Sequence, residues 1–193
     1  MKKLLITRIL PDATLAAARA RFDVTLRTEA AGLTPSEAAV ALRDYDAILP
    51  TLGDQFTAEA FAGEIRCGVL GNFGVGYNHI DATAAAKAGV AVSNTPDVLT
   101  DATADIGLTL ILSTCRRAGE GERLIRANKW EGWSPTQLLG THVTGKTVGI
   151  VGMGRIGQAV ARRCHYGFEM PVLYFNRSQK AVDLPARQVD SLH

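Results

Sequence analysis

Residues 149–163 of the chain read GIVGMGRIGQAVARR, and three glycines in this stretch follow the spacing G-x-G-x-x-G. They are Gly152, Gly154 and Gly157, placed between a β-rich run, KTVGIV, and a run with the pattern of a helix. At this spacing the first glycine allows a tight turn, the second lets a pyrophosphate approach the backbone, and the third lets helix and strand pack closely. The first turn of the helix offers free N–H groups and a partial positive charge. The pattern predicts a dinucleotide-binding turn, with a purely structural glycine turn as the alternative.

The residues after the next strand indicate which dinucleotide fits. The predicted strand PVLYF (171–175) is followed by Asn176, Arg177 and Ser178. A carboxylate at this place would favour a ribose 2′-hydroxyl and repel a 2′-phosphate, whereas this triplet supplies donors and one positive charge. Arg177 as a solvated loop residue is the alternative interpretation. Because the triplet contains no acid, we expect NADP(H) to be preferred, with NAD(H) as the second choice.

A second glycine-rich stretch, GNFGVGYNHID (71–81), follows another predicted strand. Ligands of open parallel sheets bind beyond the carboxyl ends of the strands. Gly71, Gly74 and Gly76 would leave backbone N–H groups free to form an anion-binding concavity. A flexible connection is the alternative.

Short apolar runs alternate with alanine-rich helical runs before this point, which predicts a parallel sheet covered on both faces. The predicted strands are LLIT (4–7), DVTL (23–26), DAILP (46–50), CGVLGN (67–72) and VAVSN (90–94). We therefore expect a first α/β unit over residues 1–99 and a second unit over residues 100–193. The tail after the NRS triplet is predicted to be a loop, or the beginning of a helix.

The run that begins near residue 101 predicts one helix of about seven turns. Its first half is apolar on nearly every face, which predicts burial on all sides, between domains or between subunits. An ordinary core helix of one domain is the alternative. The residues that carry this prediction are Ile106, Leu108, Leu110, Ile111 and Leu112.

Composition and charge exclude several classes of function. The 21 basic and 19 acidic residues give a net charge of +2, which makes no case for nucleic acid or an anionic membrane as partner. Cys67, Cys115 and Cys164 are far apart and have neither disulfide nor zinc spacing, so we expect buried reduced thiols, no metal and a reducing compartment. The first residues lack the apolar segment of a signal peptide, and no run is long enough to span a membrane. We expect a soluble, cytoplasmic protein.

Three stretches in this order resemble the D-isomer-specific 2-hydroxyacid dehydrogenases, in their glyoxylate/hydroxypyruvate reductase-like branch. The stretches are NFGVGYNHID (72–81), AVSNTPDVLTDATADIGLTLIL (91–112) and GKTVGIVGMGRIGQAVARR (145–163). The resemblance implies a flavodoxin-like substrate domain over residues 1–99 and an incomplete NAD(P)-binding Rossmann domain over residues 100–193. It implies a homodimer joined by the helix that begins near residue 101, in which Leu108 and Ile111 would matter.

The resemblance also implies roles for single residues. The backbone of Val75 and Gly76 would hold the carboxylate of a small 2-keto or 2-hydroxy acid. Thr103 would lie beside the nicotinamide-side phosphate, and Arg155 and Ile156 beside the pyrophosphate. The Asn176–Ser178 triplet is similar to that of NADPH-using branches.

The family's catalytic arginine, glutamate and histidine come later in the sequence than this chain extends. His79, His142 and His165 match none of those positions, and His193 is ambiguous. We therefore expect no catalytic residue in a C-terminally truncated chain that is incompetent alone. The full-length enzyme would reduce glyoxylate or hydroxypyruvate to the D-2-hydroxy acid with NADPH. A non-catalytic nucleotide-binding or dimerising fragment is the alternative.

Overall fold

A computed structural model describes residues 1–192, and His193 lies outside the described residues. The chain divides into two compact units, Met1–Pro96 and Asp97–His193.

The first unit is an α/β layer structure with five parallel strands. Its strands are β1 (Lys3–Ile6), β2 (Asp23–Leu26), β3 (Ala47–Leu49), β4 (Val69–Gly71) and β5 (Ala91–Ser93). Its helices are α1 (Asp12–Arg19), α2 (Pro35–Asp44) and α3 (Ala82–Lys87), with a 3-10 helix over Ala58–Phe61. The strand order β2-β1-β3-β4-β5 is the flavodoxin-like order. The flavodoxin-like fold expected for this unit is confirmed.

Alternation along the strands gives the first unit two cores, one on each face of the sheet. Leu5, Ile48 and Leu70 face a cluster that includes α2, the 3-10 helix and α3. Leu4 and Ile6 face the opposite cluster, which includes Leu15 of α1. Both faces of the sheet are therefore covered, and the carboxyl ends of the strands are left for the loops that carry the candidate site.

Local sequence explains where α2 begins. The Thr34 hydroxyl accepts a hydrogen bond from the Glu37 amide, and the Glu37 carboxylate accepts one from the Thr34 amide. Pro35 occupies the first helical position, where its missing N–H costs nothing.

The second unit is built on a smaller parallel sheet in the order β6-β7-β8. Its elements are α4 (Thr100–Cys115), α5 (Ala118–Arg126), β6 (Val148–Val151), α6 (Arg155–Phe168), β7 (Val172–Phe175) and β8 (Ala186–Gln188). The prediction of a loop or the beginning of a helix in the tail was wrong for residues 186–188. These three residues form a strand because β7 offers them a parallel partner, with Val172 opposite Ala186.

The single long helix predicted near residue 101 is two helices. Arg117 adopts a left-handed conformation, φ +54°, between α4 and α5. The Cys115 carbonyl oxygen accepts a hydrogen bond from the Thr141 amide at 2.8 Å, in place of one from an amide four residues further along a continuous helix. Gly140 permits this approach, since a Cβ there would lie 2.2 Å from the same carbonyl oxygen. A partner distant in sequence therefore ends α4.

The faces of α4 differ in their exposure within this chain. Leu108, Ile111 and Leu112 pack against the core formed by β6, β7 and α6. Ile106 and Leu110 are 60% and 61% exposed. Leu108 and Ile111 thus contribute to packing inside the second unit while staying partly exposed, and their contribution to a subunit interface stays a prediction.

No helix within residues 1–192 is both long and apolar enough to cross a membrane.

The three cysteines are free, and burial raises the pKa of the Cys67 and Cys164 thiols.

Candidate nucleotide and carboxylate sites

The glycine-rich turn of the second unit joins β6 to α6. Gly152 has φ +96°, a conformation that side chains rarely adopt. A Cβ on Gly157 would lie 2.0 Å from the Gly152 carbonyl oxygen, so helix and turn meet there without room for a side chain. A Cβ on Gly154 would have no atom within 4 Å. The second glycine thus borders open space, where a ligand can approach the backbone.

The N-terminus of α6 is suited to bind an anion. Gly154 occupies the N-cap position and no side chain caps the helix. The N–H groups of Arg155, Ile156 and Gly157 donate to no other group within residues 1–192. Unpaired donors at the positive end of a 14-residue helix favour a phosphate group. These residues therefore fit a dinucleotide pyrophosphate.

The triplet after β7 is attached to the glycine-rich turn by Asn176. Its Oδ1 accepts a hydrogen bond from the Met153 amide at 3.1 Å. Its Nδ2 donates to the Ser178 carbonyl oxygen at 2.7 Å. Both ends of the amide are occupied, so Asn176 fixes the two loops to each other. Arg177 and Ser178 are the exposed members of the triplet.

Arg155 has a partner that sequence reasoning missed. Its Nε lies 2.7 Å from an Asp97 carboxylate oxygen, and both side chains are largely exposed. Asp97 adopts φ +71°, a conformation that aspartate tolerates better than most residues. This tolerance was the only local feature of the sequence that could have pointed to Asp97. Thr103 is exposed in the first turn of α4. The segment that begins the second unit therefore contacts the residue after the glycine-rich turn.

Gln158 is a second residue that the sequence pattern did not single out. Its Nε2 donates to the Met153 carbonyl oxygen at 3.2 Å and to the Ala181 carbonyl oxygen at 3.4 Å. The first turn of α6 is therefore tied both to the glycine-rich turn and to the chain beyond the triplet.

The candidate carboxylate site belongs to the first unit. Val75 and Gly76 lie in the loop between β4 and α3, and neither of their N–H groups donates to another group of the described chain. The carbonyl groups of the same loop are paired. The side-chain amide of Asn94 donates to the Val75 carbonyl oxygen at 2.9 Å. Buried Asn72 donates to those of Gly74 and Gly76 at 3.1 Å and 3.0 Å. Two adjacent unpaired donors form the kind of concavity that binds an oxyanion.

The described histidines occupy three different environments. His142 is exposed. The Nδ1 of His165 lies 3.0 Å from the Met170 carbonyl oxygen, beside the end of α6. The ring nitrogens of His79 are both buried and have no hydrogen-bond partner within the described residues. Residues 1–192 contain no cluster of three or more His, Cys, Asp or Glu side chains that could hold a metal.

The buried ring of His79 predicts a pH dependence of stability. Burial disfavours the charged imidazolium and lowers the pKa of His79, while the negative charge of Asp54 opposes this shift. Below the unfolded pKa, about 6.5, the unfolded chain binds a proton that the folded chain resists. The free energy of unfolding of the first unit should therefore fall as the pH drops from above this value toward the lowered pKa.

The check is urea unfolding at several pH values, followed through the amide signals of β3 and β4. His79→Phe should lose this component of the pH dependence, while the exposed control His142→Phe should keep it. Parallel pH profiles for wild type and His79→Phe would contradict the assignment to His79.

Comparison with known proteins gives a consistent result. Residues 108–193 match the sequence profile of the D-isomer specific 2-hydroxyacid dehydrogenase, NAD binding domain. A glyoxylate reductase from Thermococcus kodakarensis is 42% identical over 182 residues, covering 92% of this chain and 54% of the relative. The chain spans about half the length of the curated relatives it matches.

Solved structures give the same picture. The crystal structure of a D-isomer specific 2-hydroxyacid dehydrogenase from a Polaromonas species superposes with a TM-score of 0.87 at 39% identity, covering all of this chain and 61% of the other. An NADPH-dependent glyoxylate/hydroxypyruvate reductase from Sinorhizobium meliloti gives a TM-score of 0.80 at 29% identity, covering all of this chain and 59% of that one.

Proposed function

We infer that the chain belongs to the D-isomer-specific 2-hydroxyacid dehydrogenase family, and we propose that it supplies the binding parts of an NADPH-dependent 2-keto acid reductase. The full-length enzyme would reduce glyoxylate or hydroxypyruvate to the D-2-hydroxy acid. In this proposal the second unit binds the dinucleotide and the first unit binds the substrate carboxylate. The boundary between these roles falls near residues 96–99.

Each unit has a defined task in this reaction. The bound dinucleotide supplies the hydride that the keto carbon accepts. The unpaired N–H groups of Arg155, Ile156 and Gly157 hold the pyrophosphate, and Thr103 lies toward the nicotinamide-side phosphate. The N–H groups of Val75 and Gly76 hold the substrate carboxylate and so fix the orientation of the neighbouring keto carbon.

One observation carries the preference for NADP(H): the exposed Arg177–Ser178 pair next to an uncapped helix N-terminus. Arg177 makes no ion pair within residues 1–192, so its guanidinium is available to a 2′-phosphate. Asn176 contributes indirectly, because its amide is already used to hold the triplet against the turn. The name of the Sinorhizobium meliloti reductase, which specifies NADPH, supports the same choice.

Arg177→Ala should weaken NADPH binding much more than NADH binding, because only NADPH carries the 2′-phosphate. Loss of a charge-assisted hydrogen bond costs about 1.5–3 kcal/mol, or roughly a 10- to 150-fold change in affinity. Isothermal titration of the chain with each dinucleotide measures both affinities.

The matched control is Arg187→Ala, which removes an exposed arginine from β8 of the same unit. It should leave the ratio of the two affinities unchanged. Equal losses for NADPH and NADH in Arg177→Ala would show that Arg177 supports the loop instead of contacting the phosphate. Failure of the wild-type chain to bind either dinucleotide would contradict the proposed function itself.

A non-catalytic nucleotide-binding or dimerising role is the second candidate. The environments of two histidines favour it, because neither ring is placed to give a proton to a substrate. The ring nitrogens of His79 are buried, and the Nδ1 of His165 lies against a backbone carbonyl oxygen. Assaying NADPH oxidation in the presence of glyoxylate, both for this chain and for its gene extended downstream, separates the candidates. The reductase proposal expects turnover by the extended protein and none by this chain, whereas a non-catalytic protein turns over in neither form.

A homodimer and a cytoplasmic location complete the proposal. The exposed apolar side chains of α4, Ile106 and Leu110, support an interface on that helix. Three free cysteines support a reducing compartment.

A further inference from the structure

The loop after β4 is organised by a buried amide side chain. Asn72 directly follows β4 and is 2% exposed. Its backbone amide donates to the Ser93 carbonyl oxygen of β5 at 3.0 Å, which fixes the residue at the sheet edge. Both Nδ2 hydrogen bonds go to carbonyl oxygens of the loop, Gly74 at 3.1 Å and Gly76 at 3.0 Å.

Three successive carbonyl groups of this loop are therefore paired inside the first unit. Besides Asn72, the Thr95 amide donates to the Gly74 oxygen at 3.0 Å. The Val75 oxygen accepts from Asn94 at 2.9 Å.

The direction of the N–H groups follows from these pairings. No peptide bond in the described chain is cis, and in a trans peptide the C=O and the next N–H point in opposite directions. Holding the Gly74 carbonyl against Asn72 turns the Val75 N–H away from Asn72. Holding the Val75 carbonyl against Asn94 likewise turns the Gly76 N–H away from Asn94. The two unpaired donors are thus directed by the pairing of the carbonyls before them.

The chemistry of residue 72 is specific to this task. An asparagine amide supplies two N–H donors in one plane, whereas an aspartate would place acceptors opposite two carbonyl oxygens. The Asn72 Oδ1 has no hydrogen-bond partner within the described residues, although it is buried. The contacts that hold this side chain are therefore made by its donor end.

We propose that Asn72 is a positioning residue of the carboxylate site, assisted by Asn94, and that it acts by directing the Val75 and Gly76 N–H groups toward the bound carboxylate. This inference rests on the proposed function, in which those two N–H groups bind the substrate. It adds the residues that keep the donors oriented before the substrate arrives, so that binding does not require the loop to rearrange.

The test is titration of the ¹⁵N-labelled chain with oxalate, a small carboxylate probe, followed through the Val75 and Gly76 amide signals. In the wild type these signals should shift and saturate. Asn72→Asp should raise the oxalate Kd by about 10-fold or more, because the oriented donors are lost and a negative charge is added beside the bound anion. Asn94→Ala adds no charge and so reports on orientation alone. Asn94→Ala, at an exposed position, should raise it by about 3-fold. The exposed control Asn78→Ala should leave the oxalate Kd unchanged.

Several outcomes separate the inference from the proposed function. If the wild type binds oxalate at Val75 and Gly76, and the Kd is unchanged in both Asn94→Ala and folded Asn72→Asp, the inference is overturned. The proposed function is not affected by that result. A purely structural role for Asn72 would lower the urea midpoint without changing the Kd of the folded variant, and this also overturns it. If Asn72→Asp does not fold, the Asn94→Ala result decides. Absence of any oxalate-induced shift in the wild type overturns the carboxylate site, and the inference with it.

Discussion

Replacing Asp54 with alanine is expected to lower the free energy of unfolding of the first unit by about 3–5 kcal/mol. Asp54 is completely buried. One carboxylate oxygen accepts hydrogen bonds from the Thr7 hydroxyl at 2.6 Å and the Thr51 amide at 2.8 Å. The other accepts from the Leu33 amide at 2.9 Å and lies 3.6 Å from the Arg8 guanidinium. Alanine would leave the Leu33 and Thr51 amides without an acceptor. The Thr7 hydroxyl and the Arg8 guanidinium would keep only their bonds to the Leu49 and Thr7 carbonyl oxygens.

The effect should be large because Asp54 lies at the point where the strand order reverses. In the order β2-β1-β3-β4-β5, the strand that follows β1 in sequence lies on one side of β1, and β3 lies on its other side. Thr7 follows β1 and Thr51 follows β3, so one carboxylate joins the ends of these two adjacent strands. Each donor left buried and unpaired costs about 1–3 kcal/mol.

A urea titration followed through the amide signals of β1 and β3 measures this loss. Asp44→Ala is the matched control, because Asp44 pairs with Arg43 on the surface of the same unit. It should leave the urea midpoint nearly unchanged. If Asp54→Ala unfolds at the wild-type midpoint, the network has no stabilising role.

Gly157→Ala should destabilise the second unit and abolish dinucleotide binding together. The new methyl group would lie 2.0 Å from the Gly152 carbonyl oxygen and 3.2 Å from the Cγ2 of Ile150. The first distance joins two backbone-fixed atoms, so α6 must move away from the turn. Overpacking of this kind costs about 1–3 kcal/mol or more. Because the same movement displaces the unpaired N–H groups of α6, the NADPH affinity should fall by more than about 100-fold, which corresponds to roughly 3 kcal/mol.

Gly154→Ala separates the two effects. Nothing lies within 4 Å of a Cβ at this position, and its φ of −79° is open to any residue. The variant should keep the wild-type urea midpoint. It should nevertheless bind NADPH more weakly than the wild type, because its methyl group occupies the space that the pyrophosphate needs. Gly167→Ala, in open space on the same helix, should bind NADPH normally and gain about 0.5–1 kcal/mol of stability.

Far-UV circular dichroism in urea and isothermal titration with NADPH provide the two measurements. Normal NADPH affinity in Gly157→Ala would show that the close contact between helix and turn is not needed for the site. Loss of stability in Gly154→Ala would show that this glycine has a structural role instead.

Local patterns were sufficient for most of the fold. Apolar runs separated by helical runs predicted the parallel strands of the first unit, and the spacing of three glycines predicted the turn between β6 and α6. Both signals are short-range, since each depends on the conformational preferences of adjacent residues. The flavodoxin-like order itself came from the resemblance to a family, because strand order depends on contacts between residues distant in the chain.

The errors share one physical cause. The long helix breaks after Cys115 because the Thr141 amide takes its carbonyl oxygen, and β8 exists because β7 is beside it. In each case a partner distant in sequence decided the outcome.

The same division holds for the candidate sites. The sequence by itself determined that a glycine-rich turn precedes a helix, that no acid follows β7, and that a second glycine loop follows β4. Only the tertiary structure decided that Asn176 is used to join two loops and that Arg177 is left exposed. Only it showed that Asn72 and Asn94 pair the carbonyls behind the Val75 and Gly76 donors. The physical reason is that a hydrogen-bonding side chain has several available partners in the sequence, and packing selects which of them lies within about 3 Å.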